Sequence, residues 1–344
     1  MKDFLIVGSG LAGLSVARHL EFKNASFDII SDTTQQSSRI AGGIINPVAV
    51  KRMKPAWQVE EYLPYAKTFY QSINNAFQEE IYSRKILNVF VHDIEQENNW
   101  YQAYDKARLK SFISSQVFKN KNQNLNIGKI GKIKAGIIHL TTLYQCLKHH
   151  YQKQWVSETF KHDKLEINES YLTYQNVSYK HIVFCEGFGV TQNPFFNHLG
   201  IYGNKGDYLI FKSKALQIKE LYKAKYFLIP LSKDLYKFGA TYQRKPLNHE
   251  PSNEARSQMM EALDNMISVP YKIVRQVCGI RPTTKDRRPV VGTHKKHKNI
   301  HILNGFGSRG VMTSPKLGQK LVKHILTDEK LDPEISIRRF DAQI

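Results

Sequence analysis

Gly8, Gly10 and Gly13 follow the apolar run Phe4-Leu5-Ile6-Val7 and precede a second apolar stretch, Leu14 to Leu20. The spacing Gly-x-Gly-x-x-Gly between a strand and a helix suits one task, holding a pyrophosphate. Gly8 permits the tight turn, Gly10 lets a phosphate approach the backbone, and Gly13 lets helix and strand pack closely. Leu11 and Ala12 complete the turn, whose amides and helix dipole favour an anion. Asp32 lies 19 residues beyond Gly13, after the apolar run Phe27-Asp28-Ile29-Ile30. An acid at that distance hydrogen-bonds a ribose hydroxyl and would repel a 2′-phosphate. The spacing therefore predicts a dinucleotide site built from Gly8, Gly10, Leu11, Ala12, Gly13 and Asp32.

The elements that must position these residues are readable from periodicity. Tyr62, Tyr65, Ala66, Phe69, Tyr70, Ile73 and Phe77 recur at three- and four-residue steps and predict a long helix over 56–77, its aromatic stripe read as core packing. Strands are expected over 81–100 and 125–140, and a helix over 141–152. Lys119 to Asn126 reads as a polar surface loop. Ile182-Val183-Phe184 predicts a buried strand running into a glycine turn at Gly187, the way a doubly wound sheet delivers backbone to a cofactor. Further β segments are expected at 208–211, 226–229 and 236–240, a helix over 252–267, a strand at 300–303 and a last helix over 315–326. A nucleotide-binding α/β fold thus opens and closes the chain around a mostly β insert. The expected division is 1–50, 141–202 and 276–344 for the nucleotide-binding domain, with 51–140 and 203–275 for a substrate or cap domain.

The composition, 41% hydrophobic and 23% charged over 344 residues, is that of a globular protein with a real core. Apolar runs reach only four to six residues, against roughly 20 for a membrane span. The N-terminal apolar run reads as the first strand, not as a signal peptide. Cys146, Cys185 and Cys278 show no metal or redox spacing. They read as buried reduced thiols of a cytoplasmic protein, and no metal site is expected. The net charge of +20 is unusual, with basic clusters at Lys51-Arg52-Met53-Lys54, Lys285-Asp286-Arg287-Arg288 and Lys295-Lys296-His297-Lys298. Such a surface attracts polyanions, nucleic acid foremost. No basic motif is interleaved with aromatics, so a lysine-rich composition without a nucleic-acid partner explains the charge equally well.

Four segments, taken in order, resemble the FAD-dependent D-amino-acid oxidase superfamily, which includes glycine and sarcosine oxidases. They are Ser37-Ser38-Arg39-Ile40-Ala41-Gly42-Gly43-Ile44-Ile45-Asn46-Pro47; Phe227-Leu228-Ile229-Pro230 with Phe238-Gly239-Ala240-Thr241-Tyr242; Gly279 to Gly292 around Ile280-Arg281-Pro282; and Asn304-Gly305-Phe306-Gly307-Ser308-Arg309-Gly310-Val311. The resemblance implies a Rossmann-like FAD-binding domain of the glutathione-reductase type with an interleaved, mostly antiparallel β substrate domain. It adds Ser38, Arg39, Ala41, Gly42, Gly43, Ile44, Gly187, Gly305, Gly307, Ser308, Gly310 and Val311 to the cofactor site. It makes Arg281 the carboxylate grip, since a planar guanidinium binds a carboxylate through two parallel hydrogen bonds. Arg309 and Tyr242 join it as candidate catalytic residues. The implied reaction is C–N oxidation of an amino acid or N-substituted glycine by hydride transfer to flavin N5, followed by imine hydrolysis. Oxygen or another acceptor would take the electrons. No cysteine matches a covalent attachment point, so FAD is expected to be non-covalent.

One residue departs from the family pattern. Phe227 stands where the amino-acid oxidases carry a tyrosine, and it has no hydroxyl to help hold a carboxylate. The adjacent Tyr226 is expected on the other strand face. The chain is also similar to the oxidase half of the bifunctional tRNA methylaminomethyl-thiouridine enzyme, at 239–244, 278–281 and 307–310. That resemblance implies the same chemistry on a carboxymethylaminomethyl-uridine, with tRNA as partner. A third reading has FAD serving structurally, or passing electrons to a quinone at an acidic lipid surface.

Overall fold

Lys2–Val7 is the strand on which the glycine turn depends. Its last four residues are buried, and it pairs in parallel with Phe27–Ile30 on one side and Val177–Phe184 on the other. Burial on both faces explains why Phe4-Leu5-Ile6-Val7 reads as a continuous apolar run. The structure, a computed structural model, describes residues 1–32 and 34–343. Two compact units emerge: residues 1–39, 140–204 and 280–344 form the first, and 40–139 with 205–279 the second.

The first unit carries an eight-stranded sheet. Trp155–Val156 extends it in parallel beyond Phe27–Ile30, and Ile300–Asn304 adds in parallel to Val177–Phe184. Val290–Thr293 then turns back antiparallel on Ile300–Asn304. This is the Rossmann-like arrangement, with parallel strands fed by helices. The helices Leu11–Glu21 and Gly310–Thr327 pack against each other. Ser15 Oγ donates to Ser314 O at 2.7 Å, and a side chain at Gly318 would press on Ser15. A core of Leu5, Phe184, Phe196, Val290, Ile300 and Ile302 holds the strand ends from which the candidate loops leave. Each such buried side chain is worth about 1.5–3 kcal/mol, an upper estimate.

The second unit carries a nine-stranded sheet, ordered Lys272–Thr283, Tyr202–Lys212, Leu235–Gly239, Phe227–Pro230, Leu221–Lys223, Tyr82–Val91, Lys129–Ile138 and Ile44–Ile45, with Phe118–Lys119 also on Lys129–Ile138. Leu221–Lys223 pairs in parallel with Tyr82–Val91. Leu235–Gly239 pairs antiparallel with both Tyr202–Lys212 and Phe227–Pro230, Phe227–Pro230 with Leu221–Lys223, and Lys129–Ile138 with both Tyr82–Val91 and Ile44–Ile45. The two sheet faces have separate cores, one around Leu209, Phe211, Tyr226 and Phe238, the other around Leu87, Trp100, Ile133, Tyr208 and Ile229. The mixed α/β fold and the largely antiparallel insert are as the sequence led us to expect.

Several expectations need correction. The stretch 81–100 is a strand only over Tyr82–Val91; Ile94–Tyr104 is a helix. Its start is capped by Asp93, whose carboxylate accepts from Gln96 N at 2.8 Å, while Gln96 Oε1 accepts from His92 N. The Asp-x-x-Gln spacing announces that start. The last helix begins at Gly310, not at Pro315, which is accommodated inside it. Among the cysteines, Cys185 and Cys278 are buried but Cys146 is partly exposed.

Candidate functional site

The glycine turn leaves the buried strand at Val7 and enters the helix at Leu11. Gly8 has φ +101°, a conformation closed to ordinary side chains, and a Cβ there would overlap the Cys185 carbonyl. A Cβ on Gly13 would overlap the Gly8 carbonyl oxygen, so helix and turn touch backbone to backbone. Gly10, by contrast, would bring a Cβ against only the Ser38 side chain. Ser38 Oγ accepts from Leu11 N at 3.2 Å, which ties the short helix Ser37–Ile40 to the start of the helix Leu11–Glu21.

Asp32 is held by hydrogen bonds from two threonines. Its Oδ1 accepts from Thr34 N at 3.0 Å and Thr34 Oγ1 at 2.7 Å, and its Oδ2 accepts from Thr159 Oγ1 at 2.8 Å. Burial alone would raise its carboxyl pKa. The donors from Thr34 and Thr159, with Arg39 nearby, outweigh that effect and hold it below the usual range, so the group is ionised at neutral pH. Arg39 itself lies over the Tyr144 ring, 3.9 Å from its centroid, and donates to the Tyr144 hydroxyl.

The other candidates of the first unit are brought together by backbone links. Asn304, at the end of its strand and 2% exposed, donates to Gly187 O at 2.9 Å and accepts from Gly305 N at 2.8 Å. Gly307 N donates to Pro282 O at 2.8 Å, and Thr283 bridges to Phe306. The loop 305–309 is therefore laced to the segment that carries Arg281. Arg281 is partly buried, and its Nη1 donates to Asn204 Oδ1 at 3.1 Å. Ser308 is exposed, Arg309 caps the last helix, and a Cβ on Gly310 would lie 3.5 Å from Leu11. Val311 is buried in the helix's first turn.

In the second unit, Ala41 to Ile44 form a loop running into the short strand Ile44–Ile45. Gly43 O accepts from Ile138 N at 2.8 Å. Tyr242 follows the strand Leu235–Gly239 and is 67% exposed. Tyr226 and Phe227 point into different cores, the former against Phe238 at 5.5 Å between ring centroids. The alternation expected from the strand is thus observed. Sequence reasoning missed Asn204, Thr34, Thr159, Tyr144 and Asn304. Only Asn304 carried a signal, as the residue that opens the final glycine loop.

The profile of the FAD dependent oxidoreductase family matches residues 3–324, and the chain belongs to that family. FAD is accordingly its cofactor. The glycine oxidase of Bacillus subtilis (strain 168) is 24% identical over 159 residues, 43% of this chain and 42% of that enzyme. A bifunctional protein of tRNA 5-methylaminomethyl-2-thiouridine biosynthesis from Shewanella halifaxensis is 22% identical over 190 residues, 43% of this chain and 29% of that protein. These alignments span less than half the length of either relative. The solved structure of glycine oxidase from Bacillus cereus shares the fold, with a TM-score of 0.79 and 18% identity, covering 96% of both chains.

The residues fit FAD. A Cβ at Gly187 would meet nothing within 4 Å, and one at Gly307 would meet only the Thr283 side chain. With Gly10, these positions leave backbone open to a ligand. The ionised Asp32 and the start of the helix Leu11–Glu21 supply the acceptor and the positive pole that a ribose and a pyrophosphate require.

Proposed function

We propose that this protein oxidises the C–N bond of an amino acid or, preferentially, an N-substituted glycine. FAD, when bound, supplies the two-electron acceptor. The observation that carries this reading is Arg281, a guanidinium oriented by the Asn204 amide. A planar guanidinium held in this way has the geometry to bind a carboxylate through two parallel hydrogen bonds. Phe227 favours an N-substituted glycine over a small free amino acid. Phe227 itself brings no hydroxyl to that position, and Tyr226 is committed to the opposite core. We take FAD to be dissociable and Arg309 and Tyr242 to lie on the substrate side, on the strength of the family pattern alone.

Anaerobic reduction of the bound flavin tests the proposal. Glycine, sarcosine, longer N-alkyl glycines and D-amino acids form one series, and tRNA bearing carboxymethylaminomethyl-uridine the other. An N-substituted glycine should bleach the flavin, and Arg281→Ala should keep FAD but slow bleaching at least tenfold. Unchanged bleaching in that variant would remove Arg281 from the site. Bleaching by tRNA alone would move the substrate to RNA and overturn the proposal.

A further inference from the structure

Lys237 sits in the strand Leu235–Gly239 between Ile210 and Ile229 on the neighbouring strands, a mostly apolar sheet face shared with Tyr208. A lysine placed there must find partners for its ammonium. Those partners are two consecutive backbone carbonyls, Ile40 O and Ala41 O, each 3.1 Å from Nζ. The Tyr208 ring lies 5.2 Å from the same nitrogen. Among the described residues no carboxylate pairs with it. The other charged group facing it within its unit is Arg275, a second cation.

This contact fixes more than two oxygens. A peptide is planar and trans, so a carbonyl turned towards Lys237 turns the amide across the same bond away from it. The Ala41 carbonyl therefore directs the Gly42 N–H to the opposite side. Gly42 itself is pressed on the sheet, since a Cβ there would stand 2.7 Å from Ile229 Cδ1 and 3.3 Å from the Tyr208 hydroxyl. The loop has a second anchor one residue on, where Gly43 O accepts from Ile138 N at 2.8 Å. Lys237 thus holds the upstream half of the loop and the rung at Ile138 holds the downstream half.

We propose that Lys237 is a positioning residue for the cofactor, holding the loop Ile40–Gly43 so that its amides face FAD. This rests on the reading of that loop as a flavin contact. Burial first, and Arg275 second, pull the Lys237 pKa down to about 8. The ammonium form makes the stronger, charge-assisted bonds to the two carbonyls. The anchor therefore weakens as pH rises through about 8, and FAD affinity weakens with it.

The test measures FAD dissociation from the holoenzyme by flavin fluorescence between pH 6.5 and 9.5, with hydrogen exchange of the 40–45 segment alongside. In the unmodified enzyme the dissociation constant should rise about fivefold across pH 8. Lys237→Met should bind FAD about tenfold more weakly at pH 7, lose the pH step and exchange the loop amides faster. Lys237→Arg cannot lose its proton in this range and should bind tightly with no step. Unaltered exchange in Lys237→Met, or a pH step that persists in Lys237→Arg, overturns the proposal. Faster exchange with unaltered FAD affinity instead overturns the loop as a flavin contact. If Lys237→Met does not fold, the pH profile of Lys237→Arg decides alone.

Discussion

Asp32 shows how a single residue can be legible in type and illegible in setting. Its distance from Gly13 marks it as a ribose acceptor, but nothing in the spacing announces that Thr34 and Thr159 engage both carboxylate oxygens. Those donors keep it ionised and fix its orientation, which is the state a ribose hydroxyl needs as acceptor. A hydrogen bond to a charged group contributes about 1.5–3 kcal/mol. Asp32→Ala should therefore weaken FAD binding roughly tenfold to a hundredfold, read as the dissociation constant from flavin fluorescence. Asp32→Asn, which retains an acceptor oxygen, should lose less. An Ala variant that binds FAD like the parent would show that Asp32 serves its threonine partners and not the ribose. Arg281 and Lys237 mark the two ends of this legibility. Arg281 stands in a motif of fixed neighbours, whereas Lys237 is one lysine in a strand, and only the register with Ile210 and Ile229 reveals that it faces the loop.

At the scale of elements, the strand–turn–helix opening was readable because three independent signals agree there: apolar run, glycine spacing and helical period. The helix Ile94–Tyr104 was not, because its buried side is only Trp100 and Ala103, too few to set a period. Its capping residues carried the information instead. The pairing of the first and last helices was also beyond the sequence, since they are some 300 residues apart and meet through small residues and one histidine. His19 lies in the helix Leu11–Glu21, and its Nε2 is 2.8 Å from Pro315 O in the helix Gly310–Thr327. Burial pulls its pKa down to about 4, against a partial opposing effect of the Pro315 carbonyl. His301, fully buried between His181 and Thr293, is likewise held well below the ordinary value by burial and by its histidine neighbours. Both bind fewer protons folded than unfolded, so their contribution is fully present above pH 6.5 and is lost as pH falls towards 4. The His19 shift alone corresponds to on the order of 3 kcal/mol. The thermal midpoint should therefore fall steeply between pH 6.5 and 4. His19→Gln, which keeps a donor for the Pro315 carbonyl, should flatten that fall; an equally steep fall in this variant would place the acid sensitivity elsewhere.

At the scale of the molecule, the charge of +20 and the family chemistry make separable demands. Among the described residues no helix is long and apolar enough to cross a membrane. The lysines are spread along the chain, and much of the excess stands on exposed positions such as Lys51, Lys106, Lys110, Lys225, Lys295 and Lys296. Dispersed cations bind polyanions through counterion release, without reading sequence or shape. The expected outcome is that unmodified RNA binds at low ionic strength and is lost between about 50 and 200 mM salt. On the proposed reading, turnover of a small amine should hold nearly constant over the same range, because Arg281 would grip its carboxylate at short range in a partly buried setting where screening is weak. A turnover that falls with salt along the same slope as RNA binding would tie the reaction to the charged surface, and would make the polyanion the carrier of the substrate rather than a bystander. Flat turnover beside steep RNA release leaves the chemistry to the residues laced around Asn304 and Arg281, and reduces the lysine excess to a property of the surface.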